Sequence, residues 1–481
     1  MRRTFVKNIV FLLLVNLVVK PIWIFAIDRN VQITVGHADY GLYSTLLNFS
    51  MVFQVLLDFG LQSYNSRTLA ASPGSINSLF PNIMVAKAIL SVTYTALTLA
   101  IGWLIGFRGF ALYLLCILIG VQIMAYYLAY LRSNISALQR FFADSLLSVT
   151  DRLVLIIVLG ILLFNPYFHH RFSISWMAWA QLAALGMAAF FAFMVCLRLS
   201  RLRKAHFDLK KVYVIWRKSL PYALLMFLMA VYMKGDLLLI ERLSHKGAYE
   251  AGVYAAAYRL LDVGNNVTGV LFAAILLPMF SRMLARKEPI GPLVTLCLQL
   301  LLPLSVTVAV CCHIWGNDIM KLQLQQIATT YDGLVFSYLI FAYPGFCFGY
   351  IIGTLLTANG NISALIKLSA MAVVFSTTLN WLLIPRYGAL AAALVATATQ
   401  IMVTVGNIVL AKRCVGFQLP FHFLLKLVLF SAIVLAAAWA ATFLPAHFIW
   451  QILSVAAVAG ISMWALGFFP VKKLILLLQN R

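Results

Sequence analysis

The chain has 481 residues, 63% of them hydrophobic and 10% charged, with a mean hydropathy of +0.97. That composition excludes an ordinary water-soluble domain, which is about half apolar and a quarter charged. A formal charge of +23 suggests nucleic acid in a soluble protein, but no basic patch interleaved with aromatic residues occurs, and the solvent that fits this chain is the membrane.

Taken in chain order, apolar runs long enough to cross the hydrocarbon core predict about fourteen helices. They fall near residues 7–27, 40–65, 81–106, 110–131, 143–164, 175–197 and 219–240, and then near 251–280, 291–314, 332–357, 364–384, 388–410, 422–443 and 447–469. The first run follows Arg2, Arg3 and Lys7 and lacks a small-x-small cleavage site before Lys20-Pro21, so it reads as a retained span with a cytoplasmic N-terminus. On that orientation, basic residues favour the cytoplasmic loops over the opposite ones by about three to one, which also leaves the C-terminus inside.

The longest polar interruption, Arg198 to Lys218, divides the chain. The expected organisation is an N-terminal six-helix lobe over residues 1–200, a basic cytoplasmic linker over 201–218, a second six-helix lobe over 219–415, and two extra transmembrane helices with a basic tail over 416–481. Internal repetition supports it. Asn134-Ile135-Ser136-Ala137-Leu138 recurs as Asn361-Ile362-Ser363-Ala364-Leu365, each placed at the end of one span and before the next. Asp28-Arg29 before Gly41-Leu42-Tyr43 likewise resembles Glu241-Arg242 before Gly252-Val253-Tyr254. The displacement grows from 213 (241 minus 28) to 227 (361 minus 134), and a long loop near Trp315 to Tyr331 supplies the inserted residues. The fold expected is therefore an all-α polytopic membrane protein. It has about 14 transmembrane helices, in two six-helix lobes related by a pseudo-two-fold axis along the membrane normal, plus two C-terminal helices.

Charged side chains inside such spans cost about 2.5–3.5 kcal/mol each on insertion scales, so they mark partners or watery cavities. Lys20 and Lys234 occupy related positions in spans one and seven, and with Arg259 of span eight they suit an anion such as a phosphate or diphosphate. Asp28, Asp58, Asp236 and Asp262 are candidate coupling or ion-pairing acids. Arg259 and Asp262, three residues apart, can instead neutralise each other, and Asp151 and Arg152 can pair with other helices. Lys87 is read as snorkelling toward the cytoplasmic surface. The histidines lack ligand spacing and no nucleotide-binding or hydrolase motif occurs, so neither a metal nor another cofactor is expected, nor is nucleic acid a partner.

Asp39-Tyr40-Gly41-Leu42-Tyr43, Asp58-Phe59-Gly60-Leu61 and Ala251-Gly252-Val253-Tyr254, together with the hydropathy of nearly the whole chain, resemble the O-antigen and capsule flippases of polysaccharide biosynthesis. These belong to the multidrug/oligosaccharidyl-lipid/polysaccharide superfamily. The resemblance implies two lobes forming a V around a central cavity, and alternating access that moves an undecaprenyl-diphosphate-linked oligosaccharide from the cytoplasmic to the periplasmic leaflet of a bacterial inner membrane. It implies membrane lipids and other polysaccharide-assembly proteins as further partners. In the related lipid II flippases, arginines of the first, second and eighth helices engage the diphosphate. Lys20 or Arg29, and Arg259, correspond here, whereas the core of span two offers no basic residue. A cation-coupled multidrug antiporter and a membrane-bound polysaccharide polymerase or ligase are the alternatives. The basic excess in spans one, seven and eight opposes the first, and the absence of a large external loop opposes the second.

Overall fold

A computed structural model describes residue 19 and residues 21–200, 209–265 and 271–468. No strand occurs among them, as the bilayer demands of a chain that must satisfy its own backbone. After a wide π-type turn at Ile22–Asp28, the helices in the first half are α1 (Arg29–Val52), α2 (Leu61–Ala71), α3 (Ile76–Ile105), α4 (Phe110–Ala137), α5 (Phe141–Phe164), α6 (Ile174–Leu199) and α7 (Leu209–Lys234). They continue with α8 (Asp236–Leu243), α9 (Gly247–Asn265), α10 (Leu271–Ala285), α11 (Gly291–Ile314), α12 (Gly316–Leu324) and α13 (Thr330–Leu339). The last are α14 (Ala342–Ala358), α15 (Ile362–Leu410), α16 (Phe421–Ala441) and α17 (Phe448–Ala465).

Among the described residues nine helical segments are long and apolar enough to cross a membrane, and α7 with α8 forms a tenth, bent by 44°. One of the nine, the run 362–415, holds two spans, because the backbone reverses at Gly388 (φ 58°). The stretches outside the nine are informative. The first two spans merge in α1 through a reversal at Gly36 (φ 77°), and the second is broken again before α2. Helix α9 carries Glu250, Arg259 and Asp262 within 19 residues. Spans two and seven are thus set apart by the breaks they contain, and all three of spans two, seven and eight by the charges they carry.

The chain forms two compact units, residues 1–241 and 242–481. In the first, α4 packs most extensively on α6. Ala184, Ala188, Ala192 and Cys196 recur every four residues on α6 and are fully buried, a small-residue stripe that lets two backbones approach. In lipid such close contact outweighs the hydrophobic effect as the source of helix association. Helices α1, α2 and α3 also rest on α4, and α7 lies against α1. In the second unit α14 packs on α15, with Gly345 so close to Gln400 that a Cβ there would stand 2.5 Å from its Cγ. The two halves of α15 lie against each other where Leu368 meets Gly406.

The duplicated phrase does not keep one structural register. Asn134–Ala137 is the last turn of α4, whereas Asn361 precedes α15 and Ile362–Leu365 is its first turn. The expectation that both copies close a span holds for the first alone. Asn134 is buried and accepts from Asn65 Nδ2 at 2.9 Å, while Asn361 accepts from Asn359 Nδ2 at 2.7 Å in a surface turn. The expected long loop at 315–331 is also corrected, since its first part folds as α12.

Candidate functional site

The first buried charge follows Pro21, where the chain enters the π-type turn that ends at Asp28. Such wide turns leave backbone geometry free to present a side chain. Asp28 is 1% exposed. Gln32 Nε2 donates to its Oδ2 at 3.2 Å, and Tyr40 Oη, from beyond the Gly36 reversal, lies 3.3 Å from Oδ2 and 3.4 Å from Oδ1. Hydrogen bonds to a charged acceptor contribute about 1.5–3 kcal/mol each, so this carboxylate ties the end of span one to the start of span two. Arg29 is its half-buried chain neighbour.

Span two is interrupted in its middle. After α1 ends at Val52, a tight turn spans Gln54–Leu57, Phe59 takes φ 43°, and Gly60 takes φ 78° before α2 begins. Glycine reaches that left-handed region without strain, whereas Phe59 meets a cost of about 1–2 kcal/mol there. The break releases main-chain carbonyls into a setting without water, and α3 satisfies them. Tyr94 donates to Ser50 O at 3.0 Å, and Lys87 Nζ donates to Leu57 O at 3.0 Å. The same ammonium meets Asp58 Oδ1 at 3.2 Å and lies 5.9 and 5.6 Å from the ring centroids of Tyr126 and Tyr130. Asp58 Oδ1 in turn accepts from the Gln62 N–H at 3.2 Å and so helps start α2.

Lys87 therefore does not snorkel. It is 1% exposed and turns inward, because a carboxylate, a freed carbonyl and two aromatic faces together replace the water its charge would lose. The sequence held a signal for this: an acid and a base in consecutive spans, with Phe-Gly immediately after the acid.

Span seven breaks at Gly235, where a Cβ would stand 2.5 Å from Val231 O. Lys234 thereby occupies the last turn of α7 and Asp236 the first turn of α8, which matches each charge to its half-helix end. Lys234 is half-buried and Asp236 is 4% exposed. Thr45 Oγ1 donates to Leu237 O at 3.4 Å, fastening this break to α1. In the second unit, half-buried Arg259 and Asp262 follow the stacked rings of Tyr254 and Tyr258, 5.9 Å apart, on α9. Lys234 falls in the first unit and Arg259 in the second. Lys20 lies outside the described residues.

Sequence reasoning missed Glu250. Its Oε2 accepts from Ala389 N and from Tyr331 Oη, both at 2.8 Å, and Tyr331 Oη accepts from Leu390 N at 3.2 Å. These are orphan N–H groups at the start of the helix half after Gly388, where a carboxylate is favourable. A Cβ on Gly388 would stand 2.5 Å from Glu250 Oε2. Tyr249, one residue before Glu250, has its phenol held above the ordinary tyrosine range, first by burial and then by the negative charge of Asp332.

Helices interrupted within an apolar bundle, with charges placed at the interruptions, are the architecture of a multi-pass membrane transporter. The chain belongs to the polysaccharide biosynthesis protein family, whose model matches residues 5–284. Its fold is similar to that of the lipid II flippase MurJ in an inward closed conformation, with a TM-score of 0.72 at 14% identity over 98% of both chains. It is also similar to an inward-facing multidrug resistance MATE transporter of the MOP superfamily, with a TM-score of 0.66 at 14% identity over 82% of this chain and 94% of that one. A MOP superfamily transporter from Pyrococcus furiosus, described as having a binding pocket of reversed polarity, gives a TM-score of 0.58 at 15% identity, over 84% of this chain and 92% of the other. No curated protein sequence matches the chain.

Proposed function

We propose that the protein flips an undecaprenyl-diphosphate-linked oligosaccharide, an O-antigen or capsule repeat unit, from the cytoplasmic to the periplasmic leaflet of a bacterial inner membrane by alternating access. Both termini are then cytoplasmic. The observation that carries this reading is the placement of basic residues at or beside helix interruptions, Arg29 after the π-type turn and Lys234 before Gly235, in a chain of the polysaccharide biosynthesis family. A diphosphate bearing sugars loses its hydration in hydrocarbon, at a cost of several kcal/mol per polar group. Arg29, Lys234, Arg259 and Lys20 would replace that hydration with charge-assisted hydrogen bonds, while the polyprenyl tail stays in lipid.

Asp28, Asp58, Asp236 and Asp262 are the acids available for coupling to an ion gradient. On the geometry Asp58 serves Lys87 and Asp236 stands in the first turn of α8. The protein acts in this reading as a transporter and not as an enzyme, with the lipid-linked substrate, membrane lipids and polysaccharide-assembly proteins as its partners.

Reconstitution with a fluorescent lipid-linked oligosaccharide, followed by protection from an external reagent, tests the proposal. Protein-dependent movement between leaflets supports it. Transfer of sugar to an acceptor without leaflet exchange makes the protein an enzyme. Proton- or sodium-driven export of organic cations, the reading favoured by the likeness to a multidrug transporter, makes it an antiporter.

A further inference from the structure

In the second unit, α12 and the turn between α16 and α17 border an open surface cleft of about 530 Å³. Both walls lie outside the internal repeat: α12 occupies the inserted stretch, and α16 and α17 are the two additional helices. The floor is fixed by the buried amide of Gln451, whose Oε1 accepts from Trp315 Nε1 at 2.6 Å and whose Nε2 donates to Leu444 O at 3.0 Å. Asp318 and Lys321 line one wall from successive turns of α12, and His447 and Phe448 line the other.

The two charges on α12 are a turn apart, yet they make no ion pair with each other. At helical spacing such a pair closes readily. His447 Nδ1 accepts from the N–H of Ile449 at the start of α17, so its Nε2 remains for a ligand. Next to these polar groups the surface is apolar: Leu322 is 55% exposed, Ile449 45% and Trp450 67%. The site therefore offers an anion-binding pair (Lys321 and His447), a cation-binding carboxylate (Asp318) and an adjoining greasy face.

We propose that this cleft binds the head group of a zwitterionic phospholipid with a primary ammonium, a phosphatidylethanolamine, with its acyl chains on the apolar face. The phosphate lies between Lys321 and His447, and the ammonium, two carbons away, donates to Asp318. The separation of the two poles is of the same order as one helical turn. A purely anionic head group would meet Asp318 with like charge, and a choline has no N–H to donate to it.

The full-length protein, stripped of lipid in detergent, is titrated with water-soluble short-chain phosphatidylethanolamine, phosphatidylcholine and phosphatidylglycerol, and binding is read by native mass spectrometry. Saturable binding of the ethanolamine lipid, about tenfold tighter than either of the others, is the expected result; tenfold corresponds to one modest hydrogen bond to a charged group. In Asp318→Asn that preference is lost, and in Lys321→Gln all three lipids bind more weakly. Equal affinities in the wild type, tighter binding of the glycerol lipid, or an ethanolamine affinity unchanged by both substitutions overturns the proposal. So does O-phosphoethanolamine binding as tightly as the lipid, which would make the occupant a soluble zwitterion. The wild-type selectivity decides the matter even where a variant folds poorly, and it is independent of whether the protein flips oligosaccharide.

Discussion

Lys87 of α3 and Asp58 of the break in span two form an ion pair of 3.2 Å in which the lysine side chain is 2% exposed and the aspartate 19%. The pair does more than cancel two charges. Through Leu57 O the ammonium also holds the interrupted backbone, so the geometry of span two depends on a side chain from span three.

Removing one partner strands the other. Lys87→Met is expected to destabilise the protein by about 3–5 kcal/mol, since it leaves Asp58 charged and Leu57 O without its donor. The double variant Asp58→Leu/Lys87→Met removes both charges and is expected to regain most of that loss, because desolvation of the ions no longer has to be offset. Thermal unfolding in detergent measures both. A double variant no more stable than Lys87→Met would show that the carbonyl contact, and not the pair, dominates.

The cap at Gly388 gives a second expectation. Gly388→Ala places a Cβ against Glu250 and forces an L-residue to φ 58°, where strain alone costs on the order of 1–3 kcal/mol. Glu250→Gln keeps the shape and weakens the acceptor, so its cost is smaller, about 1–2 kcal/mol. The order of the two midpoints in a thermal unfolding series checks the assignment, and a glutamine variant less stable than the alanine variant contradicts it.

How much of this was legible beforehand follows from the kind of signal each feature left. Span nine, expected at 291–314, is α11 at Gly291–Ile314, because a long apolar run between Pro-Gly signals and polar residues has few alternatives in lipid. The tight reversals at Gly36 and Gly388 look like loops in the sequence, yet helix resumes within a residue of each. Amphipathic α12 is too short to register as a span and reads as loop in the sequence. The surroundings of Lys87 and Glu250 are not legible locally, because partners of theirs lie 29 and 139 residues away in sequence, and hydropathy records how deep a charge lies but not what it faces. The duplicated Asn-Ile-Ser-Ala-Leu shows the converse, since a clear sequence match occupies different turns in its two copies.

Asp28 allows a test that separates position from charge. Asp28→Asn retains an acceptor for Tyr40 and Gln32 and removes the negative charge. If Asp28 couples flipping to a proton, the variant is expected to keep its thermal stability within about 1–3 kcal/mol while the response of transport to an imposed pH gradient disappears. Lowered thermal stability with the gradient response intact would assign Asp28 to packing alone.

The basic residues proposed for the diphosphate are best tested by graded removal. Each charge-assisted hydrogen bond lost to the substrate is worth about 1.5–3 kcal/mol, or roughly ten- to a hundredfold in affinity. Lys234→Gln and Arg259→Gln are each expected to weaken binding of a lipid-linked oligosaccharide by that factor, and the triple variant with Lys20→Gln to abolish measurable flipping. Lys234 also stands at the C-terminal end of a half-helix, so its removal carries a further structural cost of about 0.3–1 kcal/mol. Arg259→Lys separates charge from shape. It keeps the charge and loses the bidentate fork, so flipping that falls in Arg259→Lys nearly as far as in Arg259→Gln points to a guanidinium gripping two phosphate oxygens. Transport unchanged in the triple variant would instead place all three residues in ion pairs and helix-end packing.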